Sequence, residues 1–132
     1  MKIGIKSIYK TFNTNNQIFD SRFYPIGQNL EKPYLMLRDK LNMLNITIDT
    51  LDIYPLEDYD KIIFLDFPRN TNDLEKLYLK EQEMYLIILE SEIIKPDNMI
   101  QSNHKYFKKI FTWNDDIVDG IKYINLKCLR EK

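Results

Sequence analysis

A chain of 132 residues, 44% hydrophobic and 30% charged, is long enough for one globular domain with its own core. Its 19 basic and 20 acidic side chains leave a formal net charge of −1, so no overall field draws it to nucleic acid or to an anionic membrane. One cysteine, Cys128, and one histidine, His104, exclude an internal disulfide and any metal site built on several thiolates or imidazoles, and both counts favour a reducing cytoplasm.

No apolar run approaches the length needed to span a bilayer, and the opening MKIGIKSIY reads as a first strand, not a secretion leader. Alternation of Ile3, Ile5 and Ile8 predicts a strand over 2–9. An Asn/Thr-rich loop over 11–17 follows, then a short strand or loop over 18–24 and a turn at Pro25-Ile26-Gly27. Asn29 is placed to cap a helix with Pro33 in its first turn, and Leu30, Tyr34, Leu37, Leu41 and Leu44 lie on one stripe of that helix. Residues 46–53 alternate as a second strand. The run KIIFLDF over 61–67 is almost unbroken in its apolarity, which predicts a strand buried on both faces and stopped by Pro68. Asn70 or Thr71 caps a second helix carrying Leu74, Leu77 and Tyr78. Residues 84–89 and 110–113 are further buried strands, with a short helix or turn over 104–109 between them. Asn114 caps a helical turn bearing Ile117 and Val118, and 122–126 form a last strand. The order β-α-β-β-α-β-(α)-β with apolar central strands defines an α/β domain: a mostly parallel sheet covered by helices on both faces, with right-handed crossovers.

The polar residues then narrow the chemistry. Only three glycines occur, Gly4, Gly27 and Gly120, and they form no phosphate-cradling cluster, which argues against nucleotide binding by this chain. Asp66 ends a buried strand where a phosphoacceptor stands in receiver domains. The first strand, however, runs into Ser7-Ile8-Tyr9-Lys10 with no acidic pair for a metal, so capping of the following loop or helix is preferred. Asp115-Asp116 sits at a helix start, where capping outweighs metal binding. His104 has polar neighbours and reads as surface or loop packing; Phe111 and Trp113 read as packing, with one of them able to line a cleft rim. Glu90 follows the apolar run 85–89 at the carboxyl edge of the sheet, where open α/β sheets place ligands. Spacing alone leaves Glu90 open between a general base and an acid accepting N–H groups of its own loop, with Glu92 beside it.

The segments 61–68, 86–98 and 103–119 resemble the N-terminal half of family-10 glycosyltransferases, the α-1,3-fucosyltransferase type, in the expected order and over about half of the chain. The most specific pieces are Glu90-Ser91 after the apolar strand, then Tyr106-Phe107 followed by Phe111-Thr112-Trp113-Asn114. The family commonly has Glu-Ser-Pro at the first of these; here Glu92 stands third and Pro96 comes later. The resemblance implies a Rossmann-like three-layer α/β/α domain, one half of a GT-B architecture. It implies inverting fucosyl transfer from GDP-fucose to a glycan hydroxyl, with Glu90 as catalytic base. Ser91, Glu92 and Asn114 would contact the acceptor, and no metal is needed. GDP-fucose is a co-substrate of the donor-binding half, so no cofactor is expected in this chain.

A single domain over 1–132 matches the acceptor side only, and the tail from Lys127 begins where a linker to the donor half would start. The chain is therefore expected to be inactive alone. Its expected partners are a glycan acceptor, a donor-binding domain or chain, and a second copy docked through the apolar surface a half-enzyme exposes. Nucleic acid and a membrane span are not expected, and the cytoplasm is the expected location. The alternative reading is a non-catalytic carbohydrate-binding or protein-interaction module of the same fold.

Overall fold

A computed structural model describes residues 1–126; Cys128 and the tail over 127–132, with the expectations attached to them, lie outside the described residues. Among the described residues there are six strands: β1 (Lys2–Ser7), β2 (Thr47–Thr50), β3 (Lys61–Leu65), β4 (Glu83–Ile87), β5 (Lys109–Thr112) and β6 (Tyr123–Asn125). Two α-helices, α1 (Lys32–Met43) and α2 (Asn72–Leu79), and several short 3-10 turns connect them. The strands form one parallel sheet in the order β2-β1-β3-β4-β5-β6, as the apolar runs and element order imply, and the chain is a small α/β Rossmann-like fold. Contacts divide it into two compact units, Met1–Ile62 and Ile63–Lys132. Among the described residues no helix is long and apolar enough to cross a membrane.

In the first unit β1 and β2 pair in parallel from Lys2 opposite Thr47 to Ile5 opposite Thr50. Ile3, Ile5, Ile18, Phe19, Ile48 and Tyr59 make its core. Gly4 is explained by close packing inside a strand: a Cβ there would lie 2.4 Å from Leu51 Cδ2 and 3.0 Å from Tyr59 Cδ1. The segment over 18–24 is not a strand; it folds into 3-10 turns at Gln17–Phe19 and Ser21–Phe23. Asn15 and Asn16 precede it with φ of 49° and 59°, the left-handed region asparagine tolerates. The Asn16 side chain accepts from the Thr50 amide (2.7 Å) and donates to Asp49 Oδ1 (2.8 Å), tying this loop to the end of β2.

The start of α1 also differs from expectation. Asn29 is itself left-handed (φ 52°), its carbonyl accepts from Lys32 N, and the helix begins at Lys32 with Pro33 in the first turn. A left-handed Asn29 turns the chain before the helix and does not cap it. The predicted stripe is longer than the helix, so its ends fall outside: Leu30 is 53% and Leu44 68% exposed, and no residue within α1 is fully buried.

In the second unit Tyr85 faces Lys109 across β4 and β5, and Ile110 faces Tyr123 across β5 and β6, both pairs parallel. Phe64, Met84, Leu86, Ile110 and Thr112 are buried, whereas Ile63, Tyr85, Ile87 and Phe111 are half-buried. One face is therefore fully covered and the other only in part, which corrects the expectation of strands buried on both faces. Thr71 stands at the N-cap of α2 but makes no side-chain cap bond; Asn70, one residue earlier, turns the chain into the helix, its Oδ1 accepting from the Asn72 amide at 3.0 Å. Leu74 and Leu77 of that helix are buried, while Tyr78 turns outward with its ring edge on Tyr106, centroids 5.0 Å apart. After β5 the chain makes a turn, Ile117 N to Asn114 O at 3.3 Å, in place of the expected helical turn.

Three phenols, Tyr24, Tyr59 and Tyr123, are held above the ordinary tyrosine range, each chiefly by burial. A raised folded-state value means the folded protein keeps protons that the unfolded chain releases first. The stability from these groups is complete below about pH 10 and declines as the pH rises toward the folded values. Thermal unfolding followed by circular dichroism should show a midpoint that falls above about pH 10; a midpoint unmoved through that range would contradict this.

Candidate functional site

The local chemistry at the end of β4 sets the site. The sheet ladder runs one residue past the strand, with Ile88 N donating to Phe111 O at 2.9 Å. The next two amides leave the ladder and are received by one side chain: Leu89 N and Glu90 N donate to Asp66 Oδ1 at 2.7 and 3.0 Å. Glu90 thus stands three residues beyond β4, not directly at its end. Asp66 is buried and left-handed (φ 64°), and its own amide donates to Ile87 O at 2.8 Å. It caps a loop, as expected, but the loop after the neighbouring strand and not the one following itself.

Beyond this bend a pocket of about 330 Å³ opens. Glu90, Ser91 and Glu92 line it from the β4 loop, Thr112, Trp113 and Asn114 from the end of β5, and Ile88, Leu89 and Met99 supply apolar contact. Glu90 and Asn114 are half-buried, Ser91 and Glu92 exposed. All four residues singled out from the sequence are brought to one pocket. Asn114 is held at both ends: its amide donates to Thr112 Oγ1 and its Oδ1 accepts from Asp116 N, each at 3.1 Å.

Trp113 lines the same pocket and is 42% exposed, which favours the cleft-rim alternative over packing. Its place directly after β5, beside Asn114, was the available signal. Asn98, fully buried, was not foreseen: Oδ1 accepts from Phe67 N (2.7 Å), and Nδ2 donates to Asp66 Oδ1 (2.8 Å) and Glu90 O (3.2 Å). His104 is 2% exposed, which overturns the surface reading. Its ring touches Asn98 O through Nε2 (2.7 Å) and the Tyr123 hydroxyl through Nδ1 (2.9 Å). It lies in the 3-10 turn Gln101–Tyr106, whose three-residue period puts His104 and buried Phe107 on one side and leaves Ser102 and Lys105 outside. Asp115 receives the Asn125 side-chain amide. Among the described residues no group of three His, Cys, Asp or Glu side chains is placed to hold a metal ion. A second concavity of about 590 Å³ lies at the amino ends of β4 and β5 beside Tyr78, Glu83, Tyr106 and Lys108, and holds none of the predicted residues.

The first pocket is at the carboxyl ends of two strands, the edge where open α/β sheets bind ligands. Because β4 and β5 are neighbours in both chain and sheet, it lacks the reversal of strand order usual at such sites. Fold and site together define a small α/β protein with a Rossmann-like sheet and a tryptophan-lined pocket of mixed polar and apolar character at that edge. No protein-family model, no curated protein and no solved structure matches the chain.

Proposed function

We propose that this chain is the acceptor-side domain of an inverting, fucosyltransferase-like glycosyltransferase, and that the pocket at the ends of β4 and β5 receives the acceptor sugar. The observation that carries the reading is the convergence of Glu90, Ser91, Glu92 and Asn114, from two separate loops, on one pocket beside a half-exposed Trp113. An indole face offers the apolar side of a pyranose a flat surface, and carboxylate, hydroxyl and amide groups match its hydroxyls.

In the reaction Glu90 takes the proton of the acceptor hydroxyl as that oxygen forms its bond to the anomeric carbon of the donor. The bond from that carbon to the nucleoside diphosphate breaks, and the leaving diphosphate is stabilised by groups of a GDP-fucose-binding half supplied by another domain or chain. The pocket lining also serves a second reading, a carbohydrate-binding module without chemistry, because Trp113, Glu92 and Asn114 would contact a sugar there whether or not Glu90 takes a proton.

Trp113 is the only tryptophan, so its fluorescence reports on the pocket alone. Titration with galactose- and N-acetylglucosamine-terminated disaccharides should change the emission saturably, and Asn114→Ala should weaken the affinity by about tenfold, one to two lost hydrogen bonds' worth. An emission unchanged by every sugar up to millimolar concentration would sink the proposal.

A further inference from the structure

We infer that Tyr123, His104, Asn98 and Asp66 form one hydrogen-bonded chain that fixes the backbone carrying Glu90, with His104 held as its Nε2–H tautomer. The functional weight of this chain rests on the reading of Glu90 given above; its geometry does not.

The donors and acceptors leave little freedom. The Asn98 carbonyl can only accept, so the His104 Nε2 at 2.7 Å carries the hydrogen. In the neutral ring Nδ1 is then the acceptor, and the Tyr123 hydroxyl at 2.9 Å is its donor. Burial, with the Asp119 carboxylate second, keeps the Tyr123 phenol protonated, as a donor must be. The Asn98 amide is oriented in the same way. The Phe67 N–H requires Oδ1 at its position, which turns Nδ2 toward two acceptors, Asp66 Oδ1 and Glu90 O. Asp66, Asn98 and His104 are all buried, and among the described residues no buried side-chain nitrogen or oxygen lacks a partner. No member can therefore turn away without stranding another.

The consequence falls on a single residue. Glu90 N donates to Asp66, and Glu90 O accepts from Asn98. Both peptide groups flanking its Cα are thus held by side chains, outside any strand or helix, and the direction of Cα–Cβ into the pocket is set. Tyr123, on β6, anchors the far end through His104. These are positioning residues: they act on the pocket through the Glu90 backbone.

Nuclear magnetic resonance of the isotope-labelled 132-residue chain tests this without any sugar. His104 is the only histidine, so its long-range 1H–15N correlations are unambiguous. The expected pattern is a protonated Nε2 and an unprotonated Nδ1; the opposite tautomer, or rapid exchange between the two, overturns the proposal. In Tyr123→Phe, the Leu89 and Glu90 amides should exchange with solvent at least about fivefold faster, the loss of one net hydrogen bond. The Glu90 13Cδ resonance should move, while the Ile5 and Ile48 amides keep their rates. Asn98→Asp keeps the acceptor for Phe67, removes the donor to the Glu90 carbonyl and sets a second carboxyl group against Asp66, and should speed exchange of the same two amides. Unchanged Leu89 and Glu90 exchange in folded Tyr123→Phe, or uniform acceleration of all amides, would refute the chain. The wild-type tautomer decides if neither variant folds. A failed sugar titration would leave this result standing, and the reverse also holds, so the two readings fail separately.

Discussion

Glu90→Gln is expected to lower sugar transfer by about 10²–10⁴-fold, the usual contribution of a general base, once a GDP-fucose-binding half is supplied. Glutamine has nearly the shape of glutamate and keeps a hydrogen-bonding group in the pocket, but it cannot take the acceptor proton. kcat and kcat/KM should therefore fall together while acceptor affinity, read from Trp113 emission, stays within about twofold. The Glu90 backbone is held by Asp66 and Asn98 through groups that the substitution leaves intact, so the loss belongs to the carboxylate and not to a displaced loop. Unchanged turnover would remove Glu90 from the chemistry and leave the binding-module reading. The isolated chain mixed with GDP-fucose and acceptor should show no turnover; robust transfer by it alone would contradict the division of labour between two halves.

Asp66→Ala is expected to cost about 3–5 kcal/mol of stability, and Asp66→Asn distinctly less. The alanine removes the acceptor of three donors, Leu89 N, Glu90 N and Asn98 Nδ2, and each stranded donor costs about 1–3 kcal/mol where water cannot reach it. Exposure of Leu89 lets water relieve part of this, which keeps the total below the full sum. Alanine also loses the tolerance for φ 64° that Asp and Asn share, about 1 kcal/mol more. Asparagine keeps an oxygen in place and the left-handed backbone. Urea unfolding measures the difference, provided the m-value is unchanged; an alanine variant within about 1 kcal/mol of wild type would show that Asp66 does not hold the loop.

Several elements were legible because their signal is local. The apolar runs placed β3, β4 and β5 within a residue or two, since a nearly unbroken apolar stretch has few stable destinations other than a covered parallel sheet. The start of α2 was legible to within two residues because a short amide side chain at Asn70 reaches an amide two residues on and turns the chain into the helix. Glu90 was legible because it follows an apolar run at the carboxyl edge of the sheet; Ser91 and Asn114 came only from the family resemblance, and the parallel pairing of β4 and β5 brings them to the same pocket.

The misses have separate causes. Asn29 was misread because its left-handed backbone removes it from the capping geometry that its residue type favours. Trp113 was read first as packing, with the cleft rim as the alternative, because residue type says nothing of which face of a strand end remains open. The buried network of His104 and Asn98 was not foreseen because their partners Tyr123 and Asp66 lie 19 and 32 positions away, and no periodicity registers such pairings.

The amino-acid sequence by itself determined the class of fold, the strands that make its centre and the carboxylate-bearing loop at their carboxyl edge, because burial of apolar runs and short-range hydrogen bonding depend on near neighbours. Only the tertiary structure decided that Asp66 and Asn98 grip the two peptide groups of Glu90, that His104 is sealed beneath them, and that Trp113 stands open beside the pocket. Buried polar groups must find partners wherever the fold brings them together, and those partners are chosen by proximity in space, which the order of residues along the chain does not display.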